Sequence, residues 1–159
     1  MAFELYNLKG NRSLNFSIFF KELCIYDQHL KFKTRNYIHK FETSIPYSQI
    51  AAIYITEGMF FSKIEILSSG LVEKKGIRGE ILIKFVPKNR AKITKFLIEE
   101  KMREFQGQGK QQDMEHLQKI EKYIRHLVEN LKAKKINKKE MLERRERFLN
   151  KVIKNRGKI

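Results

Sequence analysis

Residues 45–70 read IPYSQIAAIYITEGMFFSKIEILSSG and contain two runs of alternating apolar and polar side chains. This alternation is typical of half-buried β-strands, which we predict at residues 50–56 and 62–67. Glu57-Gly58 and Ser68-Ser69-Gly70 mark the turns that end the two strands. Because no segment long enough for a crossover helix lies between the two runs, the strands are predicted to be antiparallel.

The same alternation continues on both sides of this stretch. Further strands are predicted around residues 18–20, 23–25, 30–32, 37–45 and 79–86. Pro87-Lys88-Asn89 ends the last strand, and residues 90–105 then space their apolar side chains as an amphipathic helix does. The prediction is an α+β fold: six or seven antiparallel strands form a β-barrel, and a C-terminal helix caps its open end.

A polar, glycine-punctuated linker at residues 106–112 precedes a tail that reads as two helices, residues 113–159. The first helix repeats apolar residues three or four positions apart, which is the a/d spacing of a coiled coil. These residues, the predicted oligomer seam, are Leu117, Ile120, Ile124, Leu127 and Leu131. Asn137 and Glu140 form the capping-box pattern that begins the second helix, and the short connection predicts an antiparallel hairpin.

The seam has two interpretations. It packs either against the second helix of the same chain or against other copies, and two short helices bury little core alone. We therefore favour self-association through the tail. For the rest of the chain, the prediction is an N-terminal extension at 1–14, whose role the sequence leaves open, and a β domain at 15–105.

The charge of the chain is strongly positive. Its 159 residues include 34 Lys and Arg against 18 Asp and Glu, which gives a net charge of +16 and a pI near 9.9. Residues 1–105 hold 18 basic and 11 acidic side chains, whereas residues 106–159 hold 16 and 7. Such a charge suits nucleic acid, an anionic membrane face or an acidic protein, and it does not choose among them.

The sequence predicts a cytoplasmic protein, with peripheral association at the inner face of the membrane as part of that prediction. No apolar run approaches the length of a membrane-spanning helix, and Glu4 stands where a signal peptide carries basic residues. Cys24 is the single cysteine, so neither an intrachain disulfide nor a cysteine-based zinc site can form.

Patterns for catalysis are weak, and we predict that the chain is not an enzyme and binds no cofactor or metal. The four histidines have no metal-ligand spacing, and no glycine-rich phosphate loop follows a strand. Cys24 lies between Leu23 and Ile25 and is predicted to be a packed thiol rather than a nucleophile.

Two surfaces of the β domain are candidate binding sites. A basic cluster for anions or lipid headgroups comprises Lys21, Lys31, Lys33 and Arg35; the alternative is an ordinary solvated strand face. An apolar contact loop comprises Met59, Phe60 and Phe61 at a hairpin tip; the alternative is that one phenylalanine folds back onto the barrel.

The tail provides an alternative site for nucleic acid. Its basic candidates are Lys132, Lys134, Lys135, Lys138, Lys139, Arg144, Arg145 and Arg147. Each phosphate contact of this kind on B-DNA would add about −0.9 to the salt-dependence slope, so ten contacts, more than these eight side chains supply, would give about −9. Two observations argue against this site. Glutamates are interleaved with the basic side chains, and no nucleic-acid-binding motif is present.

Residues 22–105 resemble a bacterial pleckstrin-homology (PH-like) domain. The resemblance rests on Ile45-Pro46-Tyr47-Ser48-Gln49-Ile50 before a strand, the hairpin that begins Gly58-Met59-Phe60-Phe61, and the closing segments 79–83 and 93–97. It implies a non-catalytic domain that binds proteins or lipids.

Residues 114–152 are similar to the SHOCT (short C-terminal) domain. Ile136-Asn137-Lys138-Lys139-Glu140 matches its turn, and Glu143-Arg144-Arg145 leads to Phe148-Leu149 at its end. Lys135 replaces the glycine that usually precedes the isoleucine, and the first helix is longer and more basic than is usual. The resemblance implies a role in oligomerisation.

Together these patterns predict a binding and assembly module. Its expected partners are other copies of the chain and a protein or the inner membrane face. The alternative is a basic accessory protein that binds nucleic acid through its C-terminal helices. The sequence does not identify the partner or the number of copies.

Overall fold

The computed structural model describes residues 3–10, 21–35, 40–69, 80–107 and 111–156. The chain divides into two compact units, Met1–Gln108 and Gly109–Ile159. The strand predicted around 18–20 and the beginnings of those predicted at 37–45 and 79–86 lie outside the described residues.

The described part of the first unit contains seven strands and one helix. The strands are β1 Glu4–Lys9, β2 Lys21–Tyr26, β3 His29–Arg35, β4 Lys40–Pro46, β5 Ile50–Glu57, β6 Phe61–Ser68 and β7 Glu80–Pro87. Helix α1 spans Lys88–Phe105. The α+β class and the antiparallel strands are confirmed.

These strands form two antiparallel sheets rather than one closed barrel, which corrects the prediction. The first sheet has the order β1-β2-β3-β4 and the second has the order β5-β6-β7. The chain passes from one to the other at Pro46, followed by a turn of 3-10 helix at Tyr47–Gln49. Proline has no N–H to donate to a ladder, so the sheet ends there and a new one begins at Ile50.

Helix α1 covers the apolar faces of the strands. It contacts β5, β6 and β7 of the second sheet and also β1 and β2 of the first. The helix buries one side, which includes Ala91, Ile93, Leu97 and Ile98. The inward positions of the strands alternate with outward ones, as the burial of every second residue along β6 illustrates.

The structure gives the N-terminal residues a definite role. Strand β1 pairs antiparallel with β2 and contributes Leu5, Tyr6 and Leu8 to the core, each at most 2% exposed. Its beginning is held by Phe3, whose N–H donates to the Asp27 carboxylate over 2.9 Å. Residues 4–9 are thus part of the β domain.

Tyr47 explains why the segment around Pro46 matters for the fold. Its side chain is fully buried, and its hydroxyl donates a hydrogen bond of 2.6 Å to the carbonyl oxygen of Tyr26 at the end of β2. Its ring lies 5.6 Å from the ring of Phe105 at the end of α1. One side chain therefore joins the first sheet, the switch between sheets and the end of the helix.

The second unit contains helix α2, Gln111–Lys132, and helix α3, Lys138–Arg156, which contact each other. The predicted N-cap is confirmed: the Asn137 side-chain oxygen accepts a 2.9 Å hydrogen bond from the N–H of Glu140. The Glu140 carboxylate accepts a hydrogen bond from Arg144. Within the described ranges, no helix combines the length and the apolar character needed to cross a membrane.

Candidate binding surfaces

The outward face of the first sheet holds three of the four basic-cluster candidates. Lys31, Lys33 and Arg35 occupy alternate positions of β3 and point to the same side. Glu42 on β4 lies 2.9 Å from the Lys31 Nζ and 3.6 Å from the Lys33 Nζ. The hydrogen bond from Lys31, with the charge of Lys33, lowers the pKa of the Glu42 carboxyl, so one acid offsets part of the charge of two lysines.

Lys21 does not join this cluster. It is paired with Thr34, whose side chain lies on the opposite face from Lys33 and Arg35. The Lys21 Nζ donates a 2.8 Å hydrogen bond to the carbonyl oxygen of Leu82 in the second sheet. Burial, followed by the nearby Lys84, lowers the pKa of Lys21. The four candidates therefore do not converge on one anion.

The apolar contact loop forms an exposed tip between β5 and β6. Met59 is 82% exposed and Phe60 is 75% exposed, although both are apolar. The N–H of Gly58 donates a 2.8 Å hydrogen bond to the Phe61 carbonyl and closes the turn. A Cβ atom on Gly58 would lie 2.9 Å from that same oxygen, so the turn requires glycine.

Phe61 does not share the exposure of its neighbours. Its ring meets the ring of Phe85 on β7 edge to face, with centroids 6.3 Å apart. Phe85 is itself 36% exposed. We call Met59, Phe60, Phe61 and Phe85 the apolar tip.

Phe85 joins the apolar tip because β7 contains a bulge. Ser62 pairs with Val86 and Ile64 pairs with Ile83, so Lys84 and Phe85 stand opposite Lys63 alone. Phe85 has a φ of +54°, in the left-handed region that a phenylalanine rarely adopts. Such a backbone costs on the order of 1–3 kcal/mol and is typical of functional sites. The sequence signal for this residue is the apolar pair Phe85-Val86, which breaks the alternation of β7.

Positive charge flanks the apolar tip. Lys84, beside Phe85 in the bulge, is exposed and forms no ion pair within the part of the chain that the structure describes. Lys63 pairs with Glu65 at 2.9 Å, and Lys92 of α1 pairs with Glu57 at 3.3 Å. A lysine without an ion pair in the described residues therefore stands next to Phe85 of the apolar tip in the chain.

Cys24 lies under the polar side chains of the outward face. Its side chain is fully buried, and the Asn7 Nδ2 is 3.4 Å from the sulfur. Burial raises the pKa of the Cys24 thiol from 9.0 to about 11, and Glu4 and Glu22 contribute to the rise. The thiol is protonated and covered, as expected for a packed cysteine.

This shift predicts a loss of stability at high pH. Between about pH 9 and 11 the thiol of the folded protein keeps its proton, whereas the thiol of the unfolded protein loses its own. The contribution of Cys24 to the free energy of unfolding is therefore complete below pH 9 and is lost as the pH rises to about 11. Two pKa units correspond to up to about 2–3 kcal/mol of unfolding free energy. Urea unfolding at several pH values measures the slope, and Cys24→Ala should flatten it. Equal slopes for both proteins would contradict the assignment.

The predicted oligomer seam is largely buried within the single chain. Leu117, Ile120, Ile124 and Leu127 are at most 3% exposed, and Leu131 is partly exposed. A second copy can bury little more of these four side chains. Assembly through this seam would therefore require the two helices to separate or to be exchanged between chains.

The basic candidates of the tail separate into two groups. Arg145 is 5% exposed, Arg144 pairs with Glu140, and Arg147 pairs with Glu143. The remaining five are exposed and form no ion pair within the described residues. We call them the lysine turn: Lys132, Lys134, Lys135, Lys138 and Lys139. Lys134 has a φ of +56°, the left-handed conformation that usually ends a helix.

In the described ranges, no group of three or more His, Cys, Asp and Glu side chains is arranged to hold a metal ion. Comparisons of the chain with protein-family models, with curated proteins and with solved structures found no match.

Proposed function

We propose that this chain is a non-catalytic binding and assembly module. A PH-like domain contacts a protein or an anionic membrane surface through the apolar tip, and a SHOCT-like helical hairpin brings copies together. The exposure of Met59 and Phe60 at the end of a tight hairpin is the observation that carries this proposal. Two large apolar side chains that remain in water at a defined tip are typical of a contact surface.

Three further features support the PH-like part. Seven antiparallel strands in two sheets precede a helix that contacts both sheets, so a helix that follows and covers the strands, as predicted from the sequence, is present. The unfavourable φ of Phe85 accompanies the bulge that brings a fourth apolar side chain into the apolar tip. Lys84 adds a positive charge that suits an anionic membrane surface. One basic residue near such a surface contributes about 1 kcal/mol to the free energy of binding.

Photo-crosslinking from the tip tests this proposal. We expect benzoylphenylalanine in place of Phe60 to crosslink to a protein in cells, or the purified chain to pellet with vesicles containing phosphatidylserine. Met59→Ser should reduce crosslinking from the probe at Phe60, and Met59→Ser with Phe60→Ser should reduce vesicle pelleting of the unlabelled chain, each at least tenfold while the circular dichroism spectrum stays unchanged. Benzoylphenylalanine at Tyr54, 52% exposed on β5, is the matched control. A chain that neither crosslinks nor pellets, or a Tyr54 probe that crosslinks equally, would contradict the proposal.

Light scattering tests the assembly part. The proposal predicts an oligomer of the full chain that becomes monomeric when residues 109–159 are removed. Because the seam is buried in each chain, we expect exchange between differently tagged oligomers to be slow and to accelerate when the helices are loosened by mild denaturant. A monomeric full chain at high concentration would refute assembly.

The lysine turn favours nucleic acid as a second candidate function. Five unpaired, exposed lysines within eight residues form the densest free positive charge in the described part of the chain. Phosphate contacts of this kind need no specific motif. The proposal concerns sequence-independent binding through this turn alone.

Salt dependence distinguishes this second function. Five phosphate contacts predict that log K falls against log salt with a slope near −4.5 on B-DNA, about 0.9 per contact. Changing Lys134, Lys135 and Lys138 to Ala should reduce the slope by about 2.7. The matched control changes the exposed Lys151 and Lys154 of α3 to Ala and should leave the slope nearly unchanged. Equal slopes for the two variants would exclude the lysine turn as the binding surface.

A further inference from the structure

A groove of about 540 Å³ runs between α2 and α3 of the second unit. Its floor is formed by Ile120 and Tyr123 of α2 and by Phe148 and Val152 of α3. The Tyr123 and Phe148 rings are stacked, with centroids 4.0 Å apart and planes 21° apart. This volume lies within the range of about 300–1,000 Å³ that is common for small-molecule sites.

The floor remains accessible in the folded chain. Tyr123, Phe148 and Val152 are each partly exposed, whereas Ile120 below them is 1% exposed. The groove follows α2 from Lys119 to His126, which is roughly 10 Å at 1.5 Å per helical residue. An elongated apolar ligand of this length fits its shape.

The rim of the groove is positively charged. Lys119 and Lys122 are exposed, and neither forms an ion pair within the described residues. His126 and Asn155 complete the lining, and no carboxylate borders the groove. Glu121 and Glu129 of α2 line an adjoining, more polar depression, which shares Lys122 and His126 with the groove.

We propose that this groove binds an alkyl-chain carboxylate, such as a medium-chain fatty acid. The alkyl chain lies on Tyr123 and Phe148, and the carboxylate lies between the amino groups of Lys119 and Lys122. Two lysines that face an apolar floor complement a ligand with one anionic end and one apolar end. The same lysines disfavour a second copy, because a twofold contact brings identical surfaces together and sets lysine near lysine.

This proposal is independent of the apolar tip and concerns a different unit of the chain. A vesicle or crosslinking result at Phe60 neither supports nor weakens it. Variants of Lys119 and Lys122 are likewise expected to leave the tip assays unchanged, so the two proposals can fail separately.

Calorimetric titration of the full chain with octanoate, decanoate and dodecanoate, below their micellar concentrations, tests the site. We expect one ligand per chain and an affinity that rises by up to about threefold to fourfold for each added CH₂ group that the groove covers. Dodecyltrimethylammonium has the same chain with a positive end and should bind at least tenfold more weakly than dodecanoate.

Matched charge variants assign the binding to this groove. Lys119→Glu with Lys122→Glu should weaken dodecanoate binding at least tenfold. Lys151→Glu with Lys154→Glu changes two exposed lysines of α3 outside the groove and should change the affinity less than twofold. Both lysine pairs are on the surface, and helix content measured by circular dichroism verifies that each variant is folded.

Several results would overturn the proposal. These are the absence of dodecanoate binding, unsaturable uptake of several ligands, equal affinity for the anionic and cationic amphiphiles, and equal effects of the two charge variants. A full chain that is dimeric and becomes monomeric on Tyr123→Ser would also overturn it, because a second copy would then occupy the groove.

Discussion

Removal of residues 1–9 is expected to leave the first unit without a stable fold. Strand β1 is the edge of the first sheet, yet Leu5, Tyr6 and Leu8 are almost completely buried. Truncating one large core side chain costs about 2–5 kcal/mol. Losing three of them together approaches or exceeds the whole stability of a typical domain, about 5–15 kcal/mol. Amide NMR spectra should lose the dispersed signals of the β-strands.

A single substitution provides the control for this truncation. Lys9 is on the same strand, and its side chain is 63% exposed and ion-paired with Glu22 at 3.4 Å. Because exposed ion pairs contribute about 0–1 kcal/mol, Lys9→Ala should leave the spectrum dispersed. A truncated chain that retains the dispersed strand signals would show that β1 is dispensable.

Tyr47→Ala is expected to destabilise the first unit by several kcal/mol. It empties a fully buried aromatic site and removes the hydrogen bond to Tyr26 and the ring contact with Phe105. Aromatic-to-alanine changes in cores cost about 3–5 kcal/mol. Thermal unfolding followed in the near-ultraviolet should show a midpoint lower by more than 10 °C, at about 4–8 °C per kcal/mol.

Two further variants separate the causes of this loss. Tyr47→Phe keeps the ring and removes only the hydroxyl, so a loss of about 1 kcal/mol is expected. Tyr54→Ala removes a tyrosine that is 52% exposed and should change the stability by less than about 0.5 kcal/mol. If Tyr47→Ala were no worse than Tyr54→Ala, the central position of Tyr47 in the fold would be refuted.

The periodicity of the sequence predicted most of the secondary structure. Strands β5 and β6 and the amphipathic α1 follow from side-chain alternation and helical spacing, which local physics determines. The separation into two sheets was not predicted, because it depends on tertiary structure around Pro46 and Tyr47. Pro46 ends the first sheet, and the contacts of Tyr47 with distant parts of the chain are not visible in the side-chain pattern. The role of β1 was left open because its run of apolar side chains is short and does not alternate simply. A bulge between Glu4 and Tyr6 interrupts the alternation.

The candidate sites were predicted less completely. Alternation on β3 correctly grouped Lys31, Lys33 and Arg35, but it could not reveal that Lys21 faces the other way or that Glu42 lies beside two of them. The exposed Met59 and Phe60 were identified because they follow a turn glycine. Phe85 was missed because the alternation along β7 assigns its side chain to the buried face. The bulge turns this side chain to the exposed face instead.

The neighbour-to-neighbour pairing of the strands has a consequence for folding during synthesis. Every ladder among the described strands joins strands that follow one another along the chain, so these ladders can form in the order in which the strands leave the ribosome. The cover for both sheets, helix α1, comes after all seven described strands. Until residue 105 has emerged, the nascent sheets therefore expose their apolar faces, and this interval is when the growing chain is most prone to aggregation or chaperone capture.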